Sequence, residues 1–163
     1  MLVVKGNIAD TYQALGRVEQ ALQLKRDVYS GRLKLNGEEN DRTLRDASSY
    51  AGALIHAKRY QEAKSLLRKT IPVTRRVVGE SHNNTLGMRA NYAAVLYTDP
   101  DATLDDVREA VSTLEDTAPI ARRFLGKSHP TTTGIKDLLR NARAALRARA
   151  TPSPPPPPES VMT

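Results

Sequence analysis

Apolar residues fall at three- and four-residue steps in successive stretches of the chain, the spacing of helices with one buried face. Leu2, Ile8, Ala9, Tyr12 and Leu15 predict a helix over residues 1–15, which Gly16 breaks. Val18, Ala21, Leu22, Leu24, Val28, Leu33 and Leu35 predict a second, ended by Asn36-Gly37. The pattern then restarts, residues 43–57 repeating residues 1–15. Asn7-Ile8-Ala9, Ser49-Tyr50-Ala51 and Asn91-Tyr92-Ala93 stand 42 residues apart each time. Ala21, Ala63 and Ala110 stand 42 and then 47 residues apart. A fixed interval of this size marks a repeat array. The five extra residues lie between Leu96 and Ala110, where Thr98-Asp99-Pro100-Asp101-Ala102-Thr103 is rich in turn formers. They lengthen the turn inside the third helix pair and spare both helices. Residues 131–149 form a seventh helix, with Ile135, Leu138, Leu139, Ala142, Ala145 and Leu146 on its apolar face. It has no partner helix after it and reads as the cap of the stack.

A joint separates the repeats. Its clearest copy is Gly79-Glu80-Ser81-His82-Asn83-Asn84-Thr85-Leu86; the others begin at Gly37 and Gly126. Glycine supplies the left-handed residue that ends a helix. Asn40, His82 and His129 stand where the next helix needs an N-cap, and Pro130 suits a first helical position. Within the second helices, Pro72 and Pro119 align with each other and with the Ser30-Gly31 region. This is a shared weak point, at which each helix either bends or ends and restarts.

Composition narrows the chemistry. There is no Trp, one Phe and no Cys. The core must be built from aliphatic residues, and disulfides, thiolate metal sites and thiol nucleophiles are excluded. No apolar run is long enough to span a membrane, and no signal peptide opens the chain. A cytoplasmic location is expected. The net charge is +7, of which residues 134–150 carry +4.

Paired helices, a small residue at Ala9, Ala51 and Ala93, and Ala21, Ala63 and Ala110 in the second helices resemble tetratricopeptide repeats. The 42-residue period resembles the kinesin light chain type in particular, as do the joint's Gly-x-x-His-Pro pattern, Gly16 to Ala21 and Arg59 to Ala63. The resemblance covers residues 1–149. It implies an all-α, right-handed solenoid of antiparallel helix pairs with about seven helices. Its repeats would cover about residues 1–40, 41–82 and 83–129, with a capping helix at 131–149 and a disordered proline-rich tail at 150–163. There are departures: Asp41 and Asn83 stand where only Pro130 keeps the family proline, and Lys58 stands where Gly16 does. The chain opens inside a repeat, as a fragment of a larger multidomain protein would.

No catalytic constellation, phosphate loop or metal-ligand cluster is visible, so no enzyme activity, cofactor or metal is expected. His82 and His129 occupy cap positions where Asn40 substitutes, and His56 has no acid beside it. The first helices of each pair should line a concave groove. Its expected residues are Asn7, Asp10, Arg45, Ser49, His56, Asn91, Tyr97 and Asn141, with Gln13 and Asp137 beside them. Small residues Gly52, Gly87 and Ala94 leave room for ligand side chains. The resemblance implies that Asn7 and Asn91 hydrogen-bond the backbone of an extended peptide, while Arg45 pairs with an acid. The expected function is a non-catalytic scaffold or adaptor that binds a peptide or helix of another protein. The alternative is nucleic-acid or anionic-surface binding through the basic final helix, which carries Lys136, Arg140, Arg143, Arg147 and Arg149. The proline run is a candidate ligand for an SH3-, WW- or profilin-like partner.

Overall fold

The computed structural model describes residues 1–151. Seven helices follow one another: α1 (Leu2–Ala14), α2 (Val18–Asn36), α3 (Asp41–His56), α4 (Tyr60–Val78), α5 (Asn83–Thr98), α6 (Leu104–Phe124) and α7 (Pro130–Ala150). There is no strand among the described residues. Each helix packs on the next, α3 also packs on α5, and α5 on α7. That is the contact pattern of stacked helix pairs. All but the first two residues of the expected tail lie outside the described residues, and the SH3-, WW- or profilin-type docking with them. No described helix is long and apolar enough to cross a membrane.

Alanine sets how closely the helices approach. Ala9, Ala51 and Ala93 are wholly buried, as are Ala63 and Ala110. Leu54, Leu67, Leu86, Leu96, Leu114 and Ile135 fill the layers between them. α1 departs from the expected face. Ala9 is buried and Leu2 and Tyr12 are half-buried, but Ile8 and Leu15 are exposed. The places of Ile8 in the next two repeats belong to Tyr50 and Tyr92. Tyr50 stacks on Tyr29 of α2, and Tyr92 accepts from Arg68 of α4. Ile8 has no preceding helix to meet among the described residues.

The joints form as the residues predict. Gly37, Gly79 and Gly126 have φ of 79°, 96° and 93°. The Asn40 side chain accepts from the Arg42 N–H, while Nδ1 of His82 and of His129 accept from the N–H of Asn84 and Thr131. Lys58 takes the same left-handed conformation as Gly16, with φ of 58°. At the lengthened turn, the buried Asp99 carboxylate accepts from Gln61 of α4 and from the Asp101 N–H. Thr103 then opens α6 with a capping box closed by Asp106.

Pro72 and Pro119 lie inside α4 and α6, which run through without interruption. The alternative of a break and restart is therefore set aside. Two residues before each proline, a buried threonine donates to the carbonyl four residues back: Thr70 to Leu66 and Thr117 to Thr113. In α2 Ser30 stands in register with the prolines, and the glycine after it has a use of its own. A Cβ on Gly31 would stand 2.9 Å from Cδ2 of Leu2, so α1 closes on α2 there.

Polar ties cross the layers. Tyr92 donates to Glu109 of α6, linking α4, α5 and α6 through one hydroxyl. Lys64 of α4 donates to Asp106 of α6 at 2.7 Å, with both side chains less than a fifth exposed. The Lys64 ammonium and then the Thr103 hydroxyl and N–H hold the Asp106 carboxyl well below the usual carboxylate range.

Caps and cross-layer ties can be probed separately. His82→Ala and His129→Ala should each cost about 1 kcal/mol in urea denaturation, whereas His82→Asn should stay within a few tenths because Asn supplies the same acceptor. Asp106→Asn should lose about 1–2 kcal/mol at pH 7, where the carboxylate is ionised in both states. A depressed carboxyl stabilises above its unfolded value and ceases to do so as pH falls through the folded one. The gap between Asp106→Asn and the native chain should therefore be constant above about pH 5 and close progressively below about pH 4.

Candidate functional site

The first helices of the pairs form one layer of the stack, α3 packing on α5 and α5 on α7, with α1 before them. At its N-terminal end two adjoining cavities, of about 500 Å³ and about 240 Å³, lie among α1, α2 and α3 and share Asp10 and Lys25. The larger is also lined by Gln13 and His56, and the smaller by Asn7 and Ser49. Four of the eight expected groove residues, Asn7, Asp10, Ser49 and His56, are thus brought together.

The gap has a physical origin. α1 makes no contact with α3 comparable to that of α3 with α5 or α5 with α7. Asp10 occupies the position that Gly52 and Ala94 hold in the next two first helices. A carboxylate cannot be pressed into a helix–helix contact without losing its hydration. Gly52 itself is open, since a Cβ there would meet nothing within 4 Å.

The centre of this region is a residue absent from the expected set. Lys25 of α2 is only 8% exposed, and its ammonium donates to Asp10 Oδ1 and to Ser49 Oγ, each at 2.7 Å. Beside it, Arg32 of α2 donates to Asp46 of α3 at 2.9 Å, again with both side chains mostly enclosed. The signal that finds them is register against the other repeats. Lys25 aligns with Leu67 and Leu114, Arg32 with Thr74 and Ala121, and Asp46 with Met88 and Ile135. All six counterparts are at most 1% exposed. The boundary between the first and second repeats thus has charges at core positions, Lys25 and Arg32 on α2 and Asp46 on α3, and each finds a partner because burying it alone would cost several kcal/mol.

The other expected residues stand elsewhere. Arg45 is exposed and ion-pairs with Asp41 one turn back. Asn91 is half-buried on α5 and lines neither cavity. Tyr97 on α5 and Asn141 on α7 do lie near each other, and burial pushes the Tyr97 phenol up from its ordinary value, with Asn141 opposing the shift. The final helix is less free than its charge implies. Arg140 pairs with Asp137, Arg143 with Glu115, and Arg149 donates to the Ala102 carbonyl.

Lys25 should tolerate leucine, the residue its register holds elsewhere. Lys25→Leu should denature within about 1 kcal/mol of the native chain, because a well-packed apolar residue can replace a buried ion pair. Asp10→Ala should be worse than Lys25→Leu and cost about 1–3 kcal/mol, since it leaves the buried ammonium short of an acceptor. Urea titrations of the two variants give the order.

Residues 1–75 match the tetratricopeptide repeat family model. No curated protein sequence matches the chain. Among solved structures, the nearly identical TPR-like repeats of a candidate kinesin light chain from Podosopora anserina superpose with a TM-score of 0.76 at 24% identity, over 88% of this chain and 66% of that one. A single-substitution variant of those repeats gives 0.72 at 24% identity, over 91% and 68%. BtubC (BKLC) from P. vanneervenii gives 0.58 at 12% identity, over 99% and 69%. The chain spans about two thirds of the length of these structures. Residues 1–75 are tetratricopeptide repeats, and the seven-helix array has the fold of the kinesin-light-chain-like repeat proteins.

Proposed function

We propose that this chain is a non-catalytic interaction scaffold whose inner surface takes a peptide or helix of another protein, entering at the cavities between α1 and α3. Tetratricopeptide repeats in general serve protein–protein interaction, and the fold supports that role here. The observation that carries the finer reading is the convergence of Asn7, Asp10, Ser49 and His56 on two adjoining cavities. Asn7 offers a donor and an acceptor to a ligand backbone. His56 stands exposed at the rim. The apolar stems around Lys25, including Ala21, Val18 and Ala53, supply contact area. Tyr97 and Asn141 would prolong the surface along α5 and α7. Arg45 can meet an acidic ligand residue by exchanging its exposed pair with Asp41, a contact worth less than about 1 kcal/mol. The basic-helix alternative is disfavoured by the internal acceptors that already hold Arg140, Arg143 and Arg149.

The test is capture from native extract with two baits. Asn7→Ala combined with His56→Ala alters exposed groove positions, so circular dichroism should be unchanged. Proteins retained by the native bait should fall about tenfold on the double variant. Equal recovery on both baits would remove the inner surface from the interaction.

A further inference from the structure

The second and third joints share a frame and differ in one charge. At the second joint, Arg75 in the last turn of α4 and Arg89 of α5 both ion-pair with the carboxylate of Glu80. At the 47-residue offset Arg75 becomes Arg122, Arg89 becomes Lys136, and Glu80 becomes Lys127. Both flanking cations persist, and the carboxylate between them gives way to a third cation. These three side chains line one open cavity of about 500 Å³ between α6 and α7, together with Ala118 and Pro119. None of the three belongs to an ion pair among the described residues, whereas Arg140 and Arg143 nearby are paired. Thr132 also lines the cavity and its hydroxyl lacks a partner, where Thr85 donates to the Gly79 carbonyl at 2.7 Å. Thr43 at the first joint lacks one too, so charge is what sets the third joint apart.

We propose that this cavity binds an acidic peptide segment, one carboxylate of which takes the place that Glu80 holds one repeat earlier. The array itself shows that two basic side chains in this frame close on a carboxylate. Three like charges around one cavity repel until an anion enters, and a charge-assisted hydrogen bond to Arg122 fixes it. Ala118 and Pro119 give an adjacent apolar side chain a surface to cover. No aromatic residue lines the cavity for a base to stack on, which favours peptide over RNA. The site lies at the opposite end of the stack from the α1–α3 cavities, so it goes beyond the groove reading.

Fluorescence anisotropy with a labelled hexapeptide of alternating glutamate and leucine tests it. The native chain should bind this peptide saturably and bind its glutamine counterpart at least tenfold more weakly. Lys127→Glu restores the internal bridge, so it should weaken binding about tenfold or more while its Tm holds or rises. Arg122→Ala should weaken binding comparably with an unchanged circular dichroism spectrum. Asn7→Ala with His56→Ala should bind as the native chain does, which separates this site from the groove. Absence of saturable binding, equal affinity in Lys127→Glu, or equal affinity for the glutamine peptide would overturn the proposal. So would displacement by equimolar inorganic phosphate, which would assign the site to a free anion, or tighter binding of an oligouridylate, which would assign it to nucleic acid.

Discussion

Gly37, Gly79 and Gly126 end three helices in the left-handed region, and the third residue after each, Asn40, His82 or His129, accepts the N–H of the residue two beyond it. Both halves of the joint answer one difficulty: a helix end leaves backbone groups without partners. Because the chain solves it the same way each time, the next helix starts from the same kind of cap, and Ala51 and Ala93 end up equally buried. The stack depends on that repetition more than on any single apolar cluster. An array of this kind tolerates large changes between joints, and it shows them: a lengthened turn at Asp99, a left-handed Lys58, and prolines in two second helices but not in α2.

Much of this was legible in the residues. The interval between alanines gave the period, the glycines gave the ends, and the turn formers from Thr98 to Thr103 located the insertion. The fate of Pro72 and Pro119 was not legible, because whether a proline breaks a helix depends on what holds the turns on either side. Ile8 was misjudged for a related reason: spacing shows which residues share a face but not whether a neighbour covers it. At the candidate site, the spacing of Asn7, Asp10, Ser49 and His56 was readable, and these four line the two adjoining cavities. Lys25, Arg32 and Asp46 were not found, since a charged residue is ordinarily assigned to solvent. Only comparison with Leu67, Thr74 and Met88 reveals that they occupy core positions.

That comparison exposes a division of labour between scaffold and charge. The backbone frame is repeated, while the polarity set into it changes from one repeat to the next. The contact between α2 and α3 holds paired charges where the later repeats hold buried, uncharged side chains. The second joint neutralises its cations internally through Glu80, and the third leaves Arg122, Lys127 and Lys136 outside the ion pairs of the described residues. Repeated frames thus act as internal controls for one another.

The open space between α1 and α3 has a further consequence for how the molecule comes apart. In a stack, each unit is held chiefly by its nearest neighbours, so cooperativity is only as strong as the weakest interface. From α3 to α7 the first helices touch one another as well as their partners, around one continuous cluster of mostly apolar side chains. Across α1 one of those contacts is missing, and a salt bridge with an exposed carboxylate stands in part for it. The array therefore has a polarity in energy as well as in sequence. Among the described residues, α3 to α7 are tied to more than one neighbouring helix, whereas α1 rests chiefly on α2, which makes α1 the expected place for local opening to start.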